Sequence, residues 1–418
     1  MLRNKYQNDQ MNIVETILTP ILANIFDTNK WQRDFLIELF NSLFSRQGRF
    51  NFENLTRYSK YNELTHRRQF NKYFDWFKFN CGFVDFTSST HIGVIDCSFI
   101  SKSGKKTFGL DSFWSGVAGV AKRGLEISVL GCINVNSAQS YFLDAVQTPS
   151  GLSKKEDSNY SRTDFYLEQV LDCMKNLPAI VYYVADGFYA KNKIINGLMA
   201  HNKHLITKLR TDANLKYLHN QPRKKGQRGA SRKYDGKVDF KDLSKWELVG
   251  SDEKYPHLTI YTQKLFAVNL DRVLRVVLLL NTKTNKYVLL ACTDIELDAR
   301  SITKYYQLRF HSSGCRIEFI FRDAKQFMGL NDCQARDDSK LDYHFNASLS
   351  AVNIARKAIQ QNEIYNKSMN NFMRYHYNQK FADTIYCKLS QNSERPTLRF
   401  DLIQTIWLNA PMWGNLAA

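Results

Sequence analysis

The chain has no CxxC pair. Its eight cysteines, at 81, 97, 132, 173, 292, 315, 333 and 387, are scattered through 418 residues. Such spacing fits neither a zinc site nor a disulfide framework, so they are expected to be reduced and packed as small hydrophobes, as in a cytoplasmic protein. Membrane-length apolar runs are missing too: Val273–Leu280 is short and interrupted by Arg275. The first residues, MLRNKYQNDQMNIVETIL, show no apolar core with a small-residue cleavage site, so no secretion signal is expected. No internal repeat is visible. Acid is scarce beside base, with 40 Asp plus Glu against 58 Lys plus Arg and a formal net charge of +18. That surplus favours a polyanionic partner through phosphate contacts and counterion release; a ribosome-associated, membrane-surface or merely basic protein is the alternative. Hydrophobic content of 44% and charged content of 23% are those of a soluble globular chain, long enough here for two or three domains.

Residues 1–90 read as helical. Apolar groups at 31, 35, 36, 39, 40, 43 and 44 follow a helical period. Two shorter segments, from Phe52 and from Glu63 to Phe74, form a candidate helix-turn-helix whose polar face would present His66, Arg67, Arg68, Asn71 and Lys72 to DNA. A plain helical bundle gives the same pattern. Residues 91–210 predict strands (His91–Asp96, Thr107–Phe113, Leu125–Val135, Ala179–Asp186, His204–Arg210) with helices over about 164–176 and 193–200, an α/β sheet covered on both faces. Residues 211–300 predict a β-rich insertion that contains a basic loop at 221–233 (QPRKKGQRGASRK) ahead of its later strands. Residues 301–361 return to helix. The organisation of 362–418, which holds Trp407 and Trp413, is not legible from the pattern.

Two of these strands run into aspartates, Asp96 and Asp186, and the amphipathic helix beginning near Arg316 carries Glu318. Cleavage of phosphodiesters by two metals needs carboxylates flanking ions about 3.5–4 Å apart. Magnesium takes oxygen ligands and retains waters, so two or three carboxylates suffice when phosphate completes the shell. Individually each acid is equally a turn or surface residue. On the helix, Ile317, Ile320, Phe321, Ala324 and Met328 form the apolar stripe, flanked by Glu318, Arg322 and Lys325. That flank is either a metal ligand with phosphate-clamping cations or an ordinary intrahelical ion pair.

Together these residues resemble the DDE transposases of bacterial insertion sequences, in the subgroup with a Tyr-Arg-Glu-Lys signature. Asp96, Asp186 and Glu318 stand at the family's acids, Lys325 seven residues after Glu318 at its lysine, and Tyr306 and Arg309 at its Tyr-x-x-Arg portion. The resemblance implies a ribonuclease-H-like mixed sheet flanked by helices, interrupted by an all-β insertion, with a helical N-terminal domain. It implies two magnesium ions (manganese as a substitute) on Asp96, Asp186 and Glu318. It also implies strand cleavage and transfer at terminal inverted repeats of double-stranded DNA, through a hairpin, by a homodimer acting on target DNA in the bacterial cytoplasm. An inactive DNA-binding derivative and a nuclease without strand transfer are the rivals. The family's glutamate follows its arginine by four residues, whereas Glu318 follows Arg309 by nine, so His311–Cys315 (HSSGC) interrupts the motif or Arg316 takes the arginine's part. Further phosphate contacts are expected from Lys105, Lys106, Arg210, Arg223, Lys224, Lys225, Arg228, Arg232 and Lys233. Trp246 is a candidate base-stacking ring or a core residue, and His344 a structural histidine.

Overall fold

The computed structural model describes residues 12–152, 160–219, 221, 230–310 and 317–391. The basic stretch 222–229, the HSSGC segment with Arg316, and Trp407 and Trp413 lie outside the described residues.

The helical N-terminal region is started over and over by the same device. Helices α1 (Ile13–Ala23), α2 (Lys30–Ser45), α3 (Phe52–Leu55), α4 (Glu63–Gln69) and α5 (Trp76–Cys81) each follow an Asn or Asp. The side chain of that residue (Asn12, Asn29, Asn51, Asn62 or Asp75) accepts a backbone N–H of the first turn at 2.8–3.0 Å. Each cap satisfies a donor that has no partner within the helix. The expected helix-turn-helix is shorter than its pattern suggested: α3 is one turn and α4 two. His66 does not join a polar face but is fully buried against Phe35 and Tyr61. Arg67 and Arg68 remain exposed, with Arg67 paired to Glu63 at 2.5 Å.

Beyond these helices a mixed sheet is built around β1 (His91–Ser101). On one side β1 runs antiparallel to β3 (Val120–Asn134), which pairs antiparallel with β4 (Ser140–Gln147). On the other, β5 (Tyr182–Ala185) and β6 (His204–Leu209) run parallel to it. An antiparallel meander on one flank of the first strand and parallel strands on the other is a ribonuclease-H-like sheet. Helices α6 (Arg162–Met174) and α7 (Asn192–Met199) supply the crossovers. The short β2 (Asp111–Ser115) pairs with the start of β3 as a ribbon that leaves Trp114, Val117 and Val120 exposed.

The β-rich insertion does not form a separate unit. Its strands β7 (Leu215–Leu218), β8 (Tyr234–Lys237), β9 (Glu247–Ser251), β10 (Leu258–Ala267), β11 (Arg272–Asn281) and β12 (Lys286–Cys292) extend the same sheet, with β12 antiparallel to β6. Strand β10 runs unbroken through polar Thr262, Gln263 and Lys264, because these pair in register with β11.

Helices α8 (Ala299–Phe310), α9 (Ile317–Gln326), α10 (Asp338–Gln361) and α11 (Met369–Gln391) complete the described chain. No described helix is long and apolar enough to cross a membrane. The buried α10 closes the exposed edge of β4 with side-chain amides. Asn353 accepts the Phe142 N–H at 3.0 Å and donates to its carbonyl at 2.8 Å, and Asn346, seven residues earlier, does the same for Ala145. A strand edge thus has its backbone groups satisfied by a helix. Replacing Asn353 with alanine strands both backbone groups of Phe142 and the side-chain Oδ1 of Asn80, to which it also donates. The expected cost is about 3 kcal/mol, read as a lower denaturant midpoint; a loss under about 1 kcal/mol would show that the amide pairing is dispensable.

Candidate active site

Asp96 lies in the middle of β1, not at its end as the apolar pattern suggested. The strand continues to Ser101 because β3 goes on pairing with it, whereas β5 stops at Ala185. The parallel register pairs Gly93 with Tyr183 and Val94 with Val184. Two residues further along both strands stand Asp96 and Asp186, so the sheet sets the two acids side by side. Gly93 is required just before them, since a Cβ there would sit 2.4 Å from the Tyr183 ring.

Each acid is held by its own backbone. Asp96 Oδ1 accepts the Cys97 N–H at 2.9 Å, and Asp186 Oδ1 accepts the Phe188 N–H at 2.9 Å, capping the short turn Gly187–Tyr189. The Asp186 carbonyl accepts the Thr207 hydroxyl at 2.7 Å. On the opposite face, Cys97 Sγ lies 3.3 Å from the Tyr189 hydroxyl, tying the turn after Asp186 to the strand beside Asp96. Neither Cys97 nor Tyr189 was singled out by the sequence pattern. The available signal was their position, one and three residues after the acids.

Helix α8 brings Tyr306 and Arg309 to this point. Its start is capped by Asp298, whose carboxylate accepts the Ser301 N–H at 2.8 Å. Arg309, almost wholly buried, pairs through Nη2 with Asp96 Oδ2 at 3.1 Å. Burial pulls the Arg309 pKa down, but Asp96 and Asp186 outweigh it and the net shift is upward. Asp96 is raised by desolvation, with Arg309 opposing and the neighbouring charge of Asp186 adding to the rise. Tyr306 is pushed up to about 12, chiefly by burial, while Arg309 lowers it and both Asp186 and Glu318 raise it. The two aspartates, Tyr306, Arg309 and Glu318 therefore share one electrostatic neighbourhood.

Helix α9 buries Ile317, Ile320, Phe321 and Ala324 and leaves Glu318 exposed on the flank. Lys325 donates to the Phe99 carbonyl at 2.9 Å, three residues along β1 from Asp96, and desolvation lowers its pKa. Arg322 stacks on Phe319 and pairs with Asp323 at 2.9 Å.

The remaining candidates are dispersed. Lys105 and Lys106 lie exposed in the loop after β1, and Arg210 forms an exposed fork with Asp212. Arg232 pairs with Asp235, and Lys233 is exposed. Trp246 is buried in the insertion's core and does not offer its ring to a base. His344 is a buried structural residue that stacks on Phe50 and donates to the Gly329 carbonyl at 2.9 Å.

Residues 84–264 match the family model described as DDE superfamily endonuclease. This region is a DDE endonuclease domain. The match takes in Asp96 and Asp186 and ends before α8 and α9, so Tyr306, Arg309, Glu318 and Lys325 lie outside it. No curated protein matches the chain. One solved structure with some likeness is a piggyBac transposase synaptic complex with hairpin DNA, at a TM-score of 0.40 and 10% identity over 95% of this chain and 82% of that one. A likeness of that degree carries no argument.

Three carboxylates without thiolate or imidazole suit a hard divalent cation. Asp186 lies close enough for its charge to raise the proton affinity of Asp96, a repulsion that a divalent cation relieves. Among the described residues, no three His, Cys, Asp or Glu side chains are grouped so as to hold a metal ion, so Glu318 does not form one cluster with Asp96 and Asp186. The two neighbouring aspartates suit an ion whose shell is completed by phosphate and water.

Proposed function

We propose that the chain is a metal-dependent DNA transposase that cuts and joins strands at the ends of its element. The observation that carries this reading is the convergence of Asp96, Asp186, Tyr306 and Arg309 on one point of a ribonuclease-H-like sheet, with Glu318 in the same electrostatic neighbourhood. Asp96, Asp186 and Glu318 would hold two magnesium ions, which lower the pKa of an attacking water and stabilise the leaving oxygen. Arg309 keeps Asp96 oriented and offsets the crowding of negative charge. Tyr306, kept protonated by its burial, is a donor at the edge of the site. Lys325 and Arg322 are the phosphate-facing cations on α9. The proposal extends to terminal inverted repeats and target DNA as partners, a homodimer, a hairpin intermediate and a cytoplasmic location.

The test is to incubate the protein with magnesium and duplexes made from the DNA flanking its coding sequence, then resolve the strands on denaturing gels. Nicks followed by hairpins and strand-transfer products are expected. Nicks alone would reassign it as a nuclease, and binding without any product as a DNA-binding derivative.

A further inference from the structure

Six residues beyond Asp96 on the β1 path, a polar cleft of about 490 Å³ opens between the helical N-terminal region and the catalytic sheet. Three cations line it from three distant parts of the chain: Arg49 after α2, Lys102 just past the end of β1, and Arg336 between α9 and α10. Among the described residues none of the three forms an ion pair with a carboxylate. Lys102 donates instead to the Cys333 carbonyl, and its pKa is lowered by burial and further by the nearby charge of Arg336. Asp332 is the acid in the lining, but it accepts the Phe50 N–H at 2.9 Å and stands beside the buried guanidinium of Arg46. Ser101, Ser103 and Thr107 add hydroxyl groups, and Lys105 and Lys106 are exposed in the adjoining loop.

Like charges held together without a counter-charge are costly unless an anion joins them. We infer that this cleft is a second phosphate-binding site, gripping the backbone of duplex DNA away from the scissile position through Arg49, Lys102 and Arg336. This rests on the reading of the protein as a DNA-processing enzyme and deepens it. Six residues of strand span roughly 20 Å, and B-DNA advances about 3.4 Å per base pair. The contact therefore falls about six base pairs from the cleavage point, with Lys325 lying between. Because Arg49 belongs to the N-terminal region and Arg336 to the chain after α9, bound backbone would also fasten the two together.

The experiment is fluorescence anisotropy with a labelled 30-base-pair duplex of arbitrary sequence, titrated at several salt concentrations. It compares wild type, Arg49→Ala/Arg336→Ala and the triple variant with Lys102→Ala. Each lost phosphate contact is expected to reduce the slope of log affinity against log salt by about 0.9. The triple variant is expected to bind at least tenfold more weakly at low salt, with a melting temperature no lower than that of wild type. If wild type binds and the triple variant keeps its affinity and slope, the cleft is not a DNA contact, and the inference fails while the catalytic reading stands. Weaker binding at an unchanged slope overturns it equally, because a phosphate contact must release counterions. If wild type binds no duplex at any salt, the DNA-processing reading itself fails.

Discussion

Asp186→Ala is expected to reduce DNA cleavage on the order of a thousandfold, since loss of a metal ligand removes several kcal/mol of transition-state stabilisation, while the fold remains intact. Asp186 makes one cap to the Phe188 N–H, and losing such a cap costs about 1 kcal/mol. Asp96→Ala should abolish cleavage to a similar degree and do something further. It removes the carboxylate paired with Arg309, whose side chain is 3% exposed, and leaves the charge of Asp186 to face the guanidinium. Breaking a buried pair from one side costs about 3–5 kcal/mol, somewhat less here because the Asp96 side chain is 19% exposed. The two variants should therefore be alike in a nicking assay and unlike in thermal melting, Asp96→Ala being the less stable. Equal nicking by wild type and both variants would remove these acids from the site. Equal melting of the two variants would mean that the Arg309 pair contributes nothing to the fold.

Acidification from pH 7.5 to 5 is expected to weaken the fold by several kcal/mol. His66, His344 and His376 are buried, and burial lowers their pKa values from 6.5 to about 4, 3 and 3. Each is neutral in the folded chain, whereas the unfolded chain takes up a proton near pH 6.5. Their stability contribution is complete above that value and is lost as pH falls toward the folded pKa. By pH 5 each accounts for about 2 kcal/mol of loss, a large fraction of a typical stability of about 5–15 kcal/mol. Asp342, pushed up to about 7 by desolvation and by the charges of Asp144 and Asp338, opposes this over the same window. Its residue is open to solvent, which limits the offset. Denaturant midpoints measured across this range should fall with pH, and His344→Gln should flatten the fall by about one proton. A midpoint that does not move between pH 7.5 and 5 would contradict the account.

Much of the framework was written locally. The Asn and Asp caps, the apolar period of α2 and α9, and the β-branched residues of β1 and β11 mark elements close to where they form, because capping and periodicity act within a few residues. Boundaries drifted where partners decide them. β1 outran Asp96 because β3 continued beside it, and β4, expected as no element at all, is a strand because β3 and α10 pair with its two edges. The 23-residue helix α11 was illegible in a segment rich in Asn and Tyr, where Phe372, Met373 and His376 stand among polar residues and are marked as a seam only by their burial, with Phe372 edge-on to Phe44 of α2.

For the candidate site, the order of the acids and the spacing of Glu318 and Lys325 were fully present in the chain. The amino-acid sequence by itself determined the residue types, the strands that carry Asp96 and Asp186, and a charge suited to a polyanion. Only the tertiary structure decided that Arg309, 213 positions from Asp96 by their numbers, is its partner, that Trp246 turns inward and that three cations meet beyond β1. The reason is physical: helix and strand signals arise from neighbours in the chain, whereas an ion pair or a charged cleft depends on which distant surfaces the packed core brings together.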